Sequence, residues 1–158
     1  MKAKELERLI FNPYHTSKIL HYFLSGANNV DKKGIKTELI YLVLPLIYNE
    51  DICGKLSRMN KNSKLNTFIN DKENQLFISL INQKIRDYKT ASKQGILFLS
   101  NTSKMEFNTH ISIEVELTYG KIQDPVIKQI CKGAYNLGMI VAKERYVDVF
   151  LKMRIFEI

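Results

Sequence analysis

The sequence predicts a mainly α-helical chain with one small antiparallel β-hairpin, and three observations lead there. Apolar residues recur at three- and four-residue spacing, as in Ile19, Leu20, Phe23 and Leu24 and again in Leu76, Phe77, Leu80, Ile81, Ile85 and Tyr88. That is the period of a helix with one buried face. Asn12-Pro13 and Asp124-Pro125 pair an N-cap side chain with a proline at the first helical position, where its missing N–H costs nothing. Against this helical background, residues 105–117, MEFNTHISIEVEL, alternate strictly. Met105, Phe107, Thr109, Ile111, Ile113, Val115 and Leu117 fall on one face of an extended strand, and Glu106, Asn108, His110, Ser112, Glu114 and Glu116 on the other. Residues 96–101, ILFLSN, read as the partner strand, with the polar turn 101–104 closing a hairpin over about 96–117.

The elements follow in order within one expected domain, 1–158. A helix from Pro13 to about Ser25 stops at Gly26-Ala27-Asn28-Asn29. After the loop 31–34, a helix over about 35–48 is apolar nearly all round in its second half, which predicts a central position, and Pro45 is expected to kink it. A short helix over about 50–59, capped by Asn49 or Asp51, leads into the basic polar loop 60–64. A short helix at 65–69 and a long one over about 72–90 precede the hairpin. The order of short helix, long helix and hairpin is that of a helix-turn-helix with a wing, so the middle of the chain reads as winged-helix-like. A helix over about 125–143 turns Val126, Ile127, Ile130, Cys131, Ala134, Leu137, Gly138 and Val141 inward and Lys128, Lys132, Asn136 and Lys143 outward. A last helix over about 146–154 belongs to a tail too apolar to float free.

Composition bounds the function. A net charge of +8 permits contact with phosphate through counterion release but does not require it, since a solvated lysine surface gives the same balance. Cys53 and Cys131 fit no CxxC spacing and read as reduced, buried thiols of a cytoplasmic protein. The first ten residues alternate charge and lack an apolar signal core, which argues against secretion. The longest apolar run, 39–48, is about half of the ~20 residues a membrane-spanning helix needs.

No catalytic set, metal site or cofactor site is expected. His15 and His21 lie six apart, on different faces of one helix, and His110 is remote in sequence. The chain has no Walker-type glycine loop, GxGxxG or GxSxG, and its seven glycines are not clustered. Glu106, Glu114 and Glu116 share a strand face with His110, an arrangement that exposed hairpins carry for solubility. Two sets of residues remain as candidates for binding. Tyr135 and Met139, four apart on the outer side of their helix, join Phe150, Met153 and Phe156 of the tail as candidate partner contacts, because aromatic and methionine side chains give large contact area. Arg86, Lys89 and Lys93 are the candidate phosphate contacts if the winged-helix reading holds.

Three blocks taken together carry a family resemblance. They are Asn12-Pro13 with its helix, residues 42–69 (LVLPLIYNEDICGKLSRMNKNSKLNTFI) and residues 132–155 (KGAYNLGMIVAKERYVDVFLKMRI). The chain resembles the middle component of three-component ABC systems. Asn12-Pro13 match the early Asn-Pro of that pattern, Leu44-Pro45-Leu46-Ile47 its Leu-Pro-Leu segment, Phe68 the aromatic near the end of a short helix, and Leu137-Gly138 the Leu-Gly helix. Tyr48 stands where the pattern has histidine, Lys152-Met153-Arg154 replaces a second Leu-Gly step, and there is no tryptophan. The resemblance implies a small non-catalytic subunit that works with an SMC/Rad50-like ABC ATPase and an effector, often a nuclease. Such systems, the Lamassu type included, look like bacterial defence against phage and plasmids. It implies no membrane role and allows DNA contact through the assembled complex.

Overall fold

The computed structural model describes Glu5 and residues 12–158; the reading of the first ten residues as lacking a signal core lies, Glu5 apart, outside the described residues. The chain is mainly helical with a small three-stranded antiparallel sheet. Its centre is helix α1, Pro13–Val30. Asn12 caps α1 by accepting from the backbone N–H groups of Tyr14 and His15 at 3.0 and 3.4 Å. The helix runs past the stop expected at Gly26 because the small residues there are contact points. A Cβ on Gly26 would sit 1.9 Å from the Tyr135 carbonyl oxygen, and one on Gly138 would sit 2.0 Å from the Phe23 carbonyl oxygen. Reciprocal glycines thus bring α1 and helix α7, Pro125–Ala142, into backbone contact.

The segment expected as one central helix over 35–48 divides into three. Ile35–Lys36 is strand β1, Thr37–Leu42 is a 3₁₀-helix and Val43–Ile47 is the short helix α2. Pro45 falls within the first turn of α2, where the ladder does not need its N–H, so no kink arises. Helix α3, Glu50–Arg58, is capped by the Asn49 side chain at the Ile52 N–H. Helices α4, Leu65–Asn70, and α5, Lys72–Ser79, follow, and α5 breaks at Leu80 before α6, Ile81–Thr102.

Residues 96–101 are therefore helical, which corrects the hairpin over 96–117. The buried residues Ile81, Ile85, Ser92, Gly95 and Leu99 keep one face of α6 against α1 without interruption. Gly95 does not release the chain; a Cβ there would meet the Thr16 hydroxyl at 2.8 Å, so it too marks a helix contact. The hairpin forms within the alternating stretch itself. Strand β2, Met105–Phe107, turns back at Asn108 and Thr109 into β3, His110–Ile113, which pairs on its other edge with β1.

Alternation beyond Ile113 yields no ladder because α1 supplies the hydrogen bonds. Asn28 Nδ2 donates to the Ile113 carbonyl at 2.8 Å, His21 Nε2 to the Val115 carbonyl at 2.8 Å, and the Leu117 N–H to Ser25 Oγ at 2.9 Å. Side chains of one helix thus hold 113–117 as a strap. Helix α8, Tyr146–Lys152, closes the chain, with Val149 and Met153 in the core. Among the described residues no helix is long and apolar enough to cross a membrane.

Candidate partner interface

A groove of about 940 Å³ lies between α3 and the α5–α6 corner. One wall is the run Leu76, Leu80, Lys84 and Tyr88, each four residues from the next, with Phe77 beside it. The other is α3, which presents Glu50 and Asp51 at its start, Gly54 and Lys55 in the middle and Arg58 at its end. Tyr48 closes the inner end. Its ring stacks on Tyr88 at 5.7 Å between centroids and on His15 at 6.4 Å. Its hydroxyl is buried, and burial raises its pKa above the ordinary tyrosine value. Tyr48, where the family pattern has histidine, thus contributes a stacked ring whose buried hydroxyl has no hydrogen-bond partner among the described residues.

Lys55 fixes the two walls relative to each other. Its ammonium reaches Glu73 at 2.7 Å, Asp71 at 3.0 Å and Asn74 Oδ1 at 3.1 Å. Asp71 is also the N-cap of α5, bonded to the Glu73 N–H at 2.9 Å. The hydrogen bond to Glu73 is the main reason the Lys55 pKa is raised, and the one from Lys55 is the main reason the Asp71 carboxyl is held below its ordinary value. The rim of the groove carries exposed carbon: Leu76 is 73% and Leu80 49% accessible. Exposed apolar side chains mark a contact surface where they join into a contiguous patch.

An exposed aromatic of the tail, Phe156, is tied to the start of α6. Asn82 binds the tail with both ends of its amide, donating to the Arg154 carbonyl at 2.8 Å and accepting from the Phe156 N–H at 2.9 Å. Arg86 pairs with Glu157 one turn further along. Arg154 adopts φ 56°, which reverses the chain after α8 so that the tail returns to α6. The result fixes the tail backbone at the start of α6 while leaving Phe156 85% exposed.

The residues expected to contact partners divide. Phe156 is exposed and Phe150 is half-buried, edge-on to Tyr146 at 5.8 Å. Tyr135 is half-buried under Tyr119, ring centroids 5.3 Å apart. Met139 and Met153 are buried. Met139 is expected on a free outer face of α7, but residues 136–141 are buried all round between α1 and α3; Met153, expected as a tail contact, lies in the core at the end of α8. Asn136, also expected outside, donates from Nδ2 to the Leu56 and Met59 carbonyls at 2.9 and 2.7 Å, closing the C-terminal end of α3. Conversely Val126 and Ile127, expected inside, are exposed in the first turn of α7. Arg86, Lys89 and Lys93 share one face of α6, with Arg86 engaged by Glu157 and Lys89 half-buried. Glu106, Glu114 and Glu116 do not assemble with His110: Glu116 and Glu114 pair with Lys32 and Lys104, and His110 touches Thr109. Among the described residues no three His, Cys, Asp or Glu side chains form a metal-binding set.

The sequence pattern missed the groove. Leu76 and Leu80 complete a regular apolar stripe, and periodicity alone cannot tell a stripe covered by its own chain from one left for another. The family model of the ABC-three component (ABC-3C) system Middle Component 3 matches residues 1–156, and the chain belongs to that family. It is therefore a component of a multi-component ABC system. Comparison with curated proteins and with solved structures returned no match.

Proposed function

We propose that this chain is a non-catalytic accessory subunit that bridges an SMC/Rad50-like ABC ATPase and a nuclease effector in a cytoplasmic anti-phage or anti-plasmid defence complex. The observation that carries the reading is the middle-component family match over residues 1–156, nearly the whole chain. Two surfaces support a bridging role: the groove with Leu76 and Leu80 on its lip, and the tethered tail with Phe156. Both expose large apolar side chains on a rigid frame, which lowers the entropic cost of binding.

Direct DNA reading by this chain has weaker support. The hairpin is engaged by β1 and α1 instead of standing free as a wing, and the candidate phosphate ligand Arg86 is already paired. The test is recovery of the tagged chain together with the products of its adjacent genes, followed by DNA binding of the isolated chain across a salt series. Recovery of the ATPase, with little DNA affinity of the chain alone, is the expected result. A chain that purifies alone and binds DNA with steep salt dependence would replace this account with a nucleic-acid-binding one.

A further inference from the structure

We infer that the free edge of strand β2 receives an extended segment of another component of the ABC system, which adds an antiparallel strand with a basic residue opposite Glu106 and apolar residues on either side; this rests on the accessory-subunit reading above. The pairing pattern of the backbone is the first ground. The Glu114 N–H donates to the Lys104 carbonyl at 3.1 Å and the Asn108 N–H to the His110 carbonyl at 3.0 Å. Hydrogen-bonded and non-hydrogen-bonded pairs alternate along an antiparallel ladder, so Met105 and Phe107 turn their N–H and C=O groups away from β3. Among the described residues no backbone group bonds to them. The register of β2 on β3 is continuous, without a bulge, and β2 contains no proline, so two of the devices that close natural sheet edges are missing.

Phe107 is the second ground. Met105 and Phe107 lie on the same sheet face as Ile111 and Ile113, which are buried. Phe107 sits directly opposite Ile111, yet it is 54% exposed, because the strand order β1-β3-β2 leaves nothing flanking it on the outer side. An added strand continues this face with apolar side chains beside Met105 and Phe107.

Charge selects the occupant. Glu106 is exposed on the other face and forms no ion pair among the described residues, whereas Glu114 and Glu116 meet Lys104 and Lys32. It lies between the two outward-turned residues, so its counterpart on an added strand occupies a non-hydrogen-bonded pair, where side chains approach most closely. A second copy of this chain, paired about a two-fold axis through this position, would set Glu106 against Glu106. Like charges directly opposite destabilise the pairing, and a lysine or arginine there makes a cross-strand ion pair. One carboxylate therefore turns the edge away from self-association and towards a basic segment.

The test is co-expression of the chain with the products of its adjacent genes, with a photo-crosslinking residue at position 107 and mass-spectrometric identification of the joined peptide. The expected adduct is a segment of another component that carries a lysine or arginine between two apolar residues. Glu106→Lys should melt with the wild type and lower recovery of that component about tenfold, and recovery should return when the basic residue of the segment is exchanged for glutamate. Phe107→Pro removes an outward N–H that β3 does not use. It should melt with Phe107→Ala and bind about fivefold more weakly than Phe107→Ala, the effect of one lost backbone hydrogen bond. If the wild type assembles and Glu106→Lys and Phe107→Pro assemble equally well, the edge inference fails and the accessory-subunit reading stands. If the wild-type chain recovers no component, both fail. A cross-link to a second copy of this chain overturns the proposed occupant.

Discussion

Gly138 and Gly26 are the residues on which the core depends most sharply. A Cβ at position 138 would lie 2.0 Å from the Phe23 carbonyl oxygen, and backbone cannot yield as a side-chain tip can. Gly138→Ala should therefore separate α1 from α7, at a cost of about 3 kcal/mol, and lower the melting midpoint by roughly 6–12 °C. Leu97→Ala, at a 63% exposed position of α6, is the control that should leave the midpoint unchanged within error. Two histidines make stability depend on pH. Burial lowers the pKa of His15 and of His21, so the unfolded chain takes up protons at these sites near the ordinary value of 6.5 while the folded chain resists. Their contribution is complete above pH 6.5 and is lost as the pH falls from there through the folded values. Urea midpoints at pH 7.5 and 5.5 should differ in that direction, and the difference should shrink in His15→Asn, His21→Gln. Asp71 and Asp148 act in a separate, more acidic window. Ion-paired and held below the ordinary 3.8, they contribute above that pH and lose their contribution as it falls further. Cys53 and Cys131 are both buried with thiols pushed up to about 11, so iodoacetamide at pH 8 should leave the native chain unlabelled and label both sites in urea.

At the scale of elements, Asn136 is the tie between α7 and the end of α3. Asn136→Leu leaves the Leu56 and Met59 carbonyls without their donor and should cost about 2 kcal/mol, read as a shift in urea midpoint and as faster amide exchange across 56–64. Asn82→Ala should leave global stability nearly unchanged while removing exchange protection at the Phe156 N–H, because its two bonds anchor an exposed tail. These ties also mark where the sequence was legible. Asn12-Pro13 and Asp124-Pro125 announce their helices because capping is local chemistry. The alternation in 105–117 signals a hairpin and correctly buries Ile111 and Ile113. It does not reveal that the chain doubles back at Asn108, nor that α1 side chains, not a strand, satisfy 113–117. Residues 96–101 carried two periods at once. The helical one wins because the face through Ile85, Ser92 and Leu99 has α1 to pack on, a fact of tertiary structure. Asn136 was assigned to solvent for the same reason: polarity indicates exposure only where no buried carbonyl needs a donor.

Across the whole molecule, the net charge of +8 is distributed among many separate pairs and rims. Lys32, Lys55, Arg86, Lys104, Arg145 and Lys152 each meet a carboxylate within the chain. Large apolar side chains are exposed at the groove lip and the tail and also at Leu97, Val126 and Leu151, so a subunit that bridges two proteins has more than one apolar surface to offer. That bridging is the central claim. It is tested most directly by co-expressing the system with the tag on the ATPase, once with this chain and once without it, and measuring recovery of the effector. The account expects the effector in stoichiometric yield when this chain is present and at least tenfold less when it is absent. Equal recovery of the effector in its absence would contradict it.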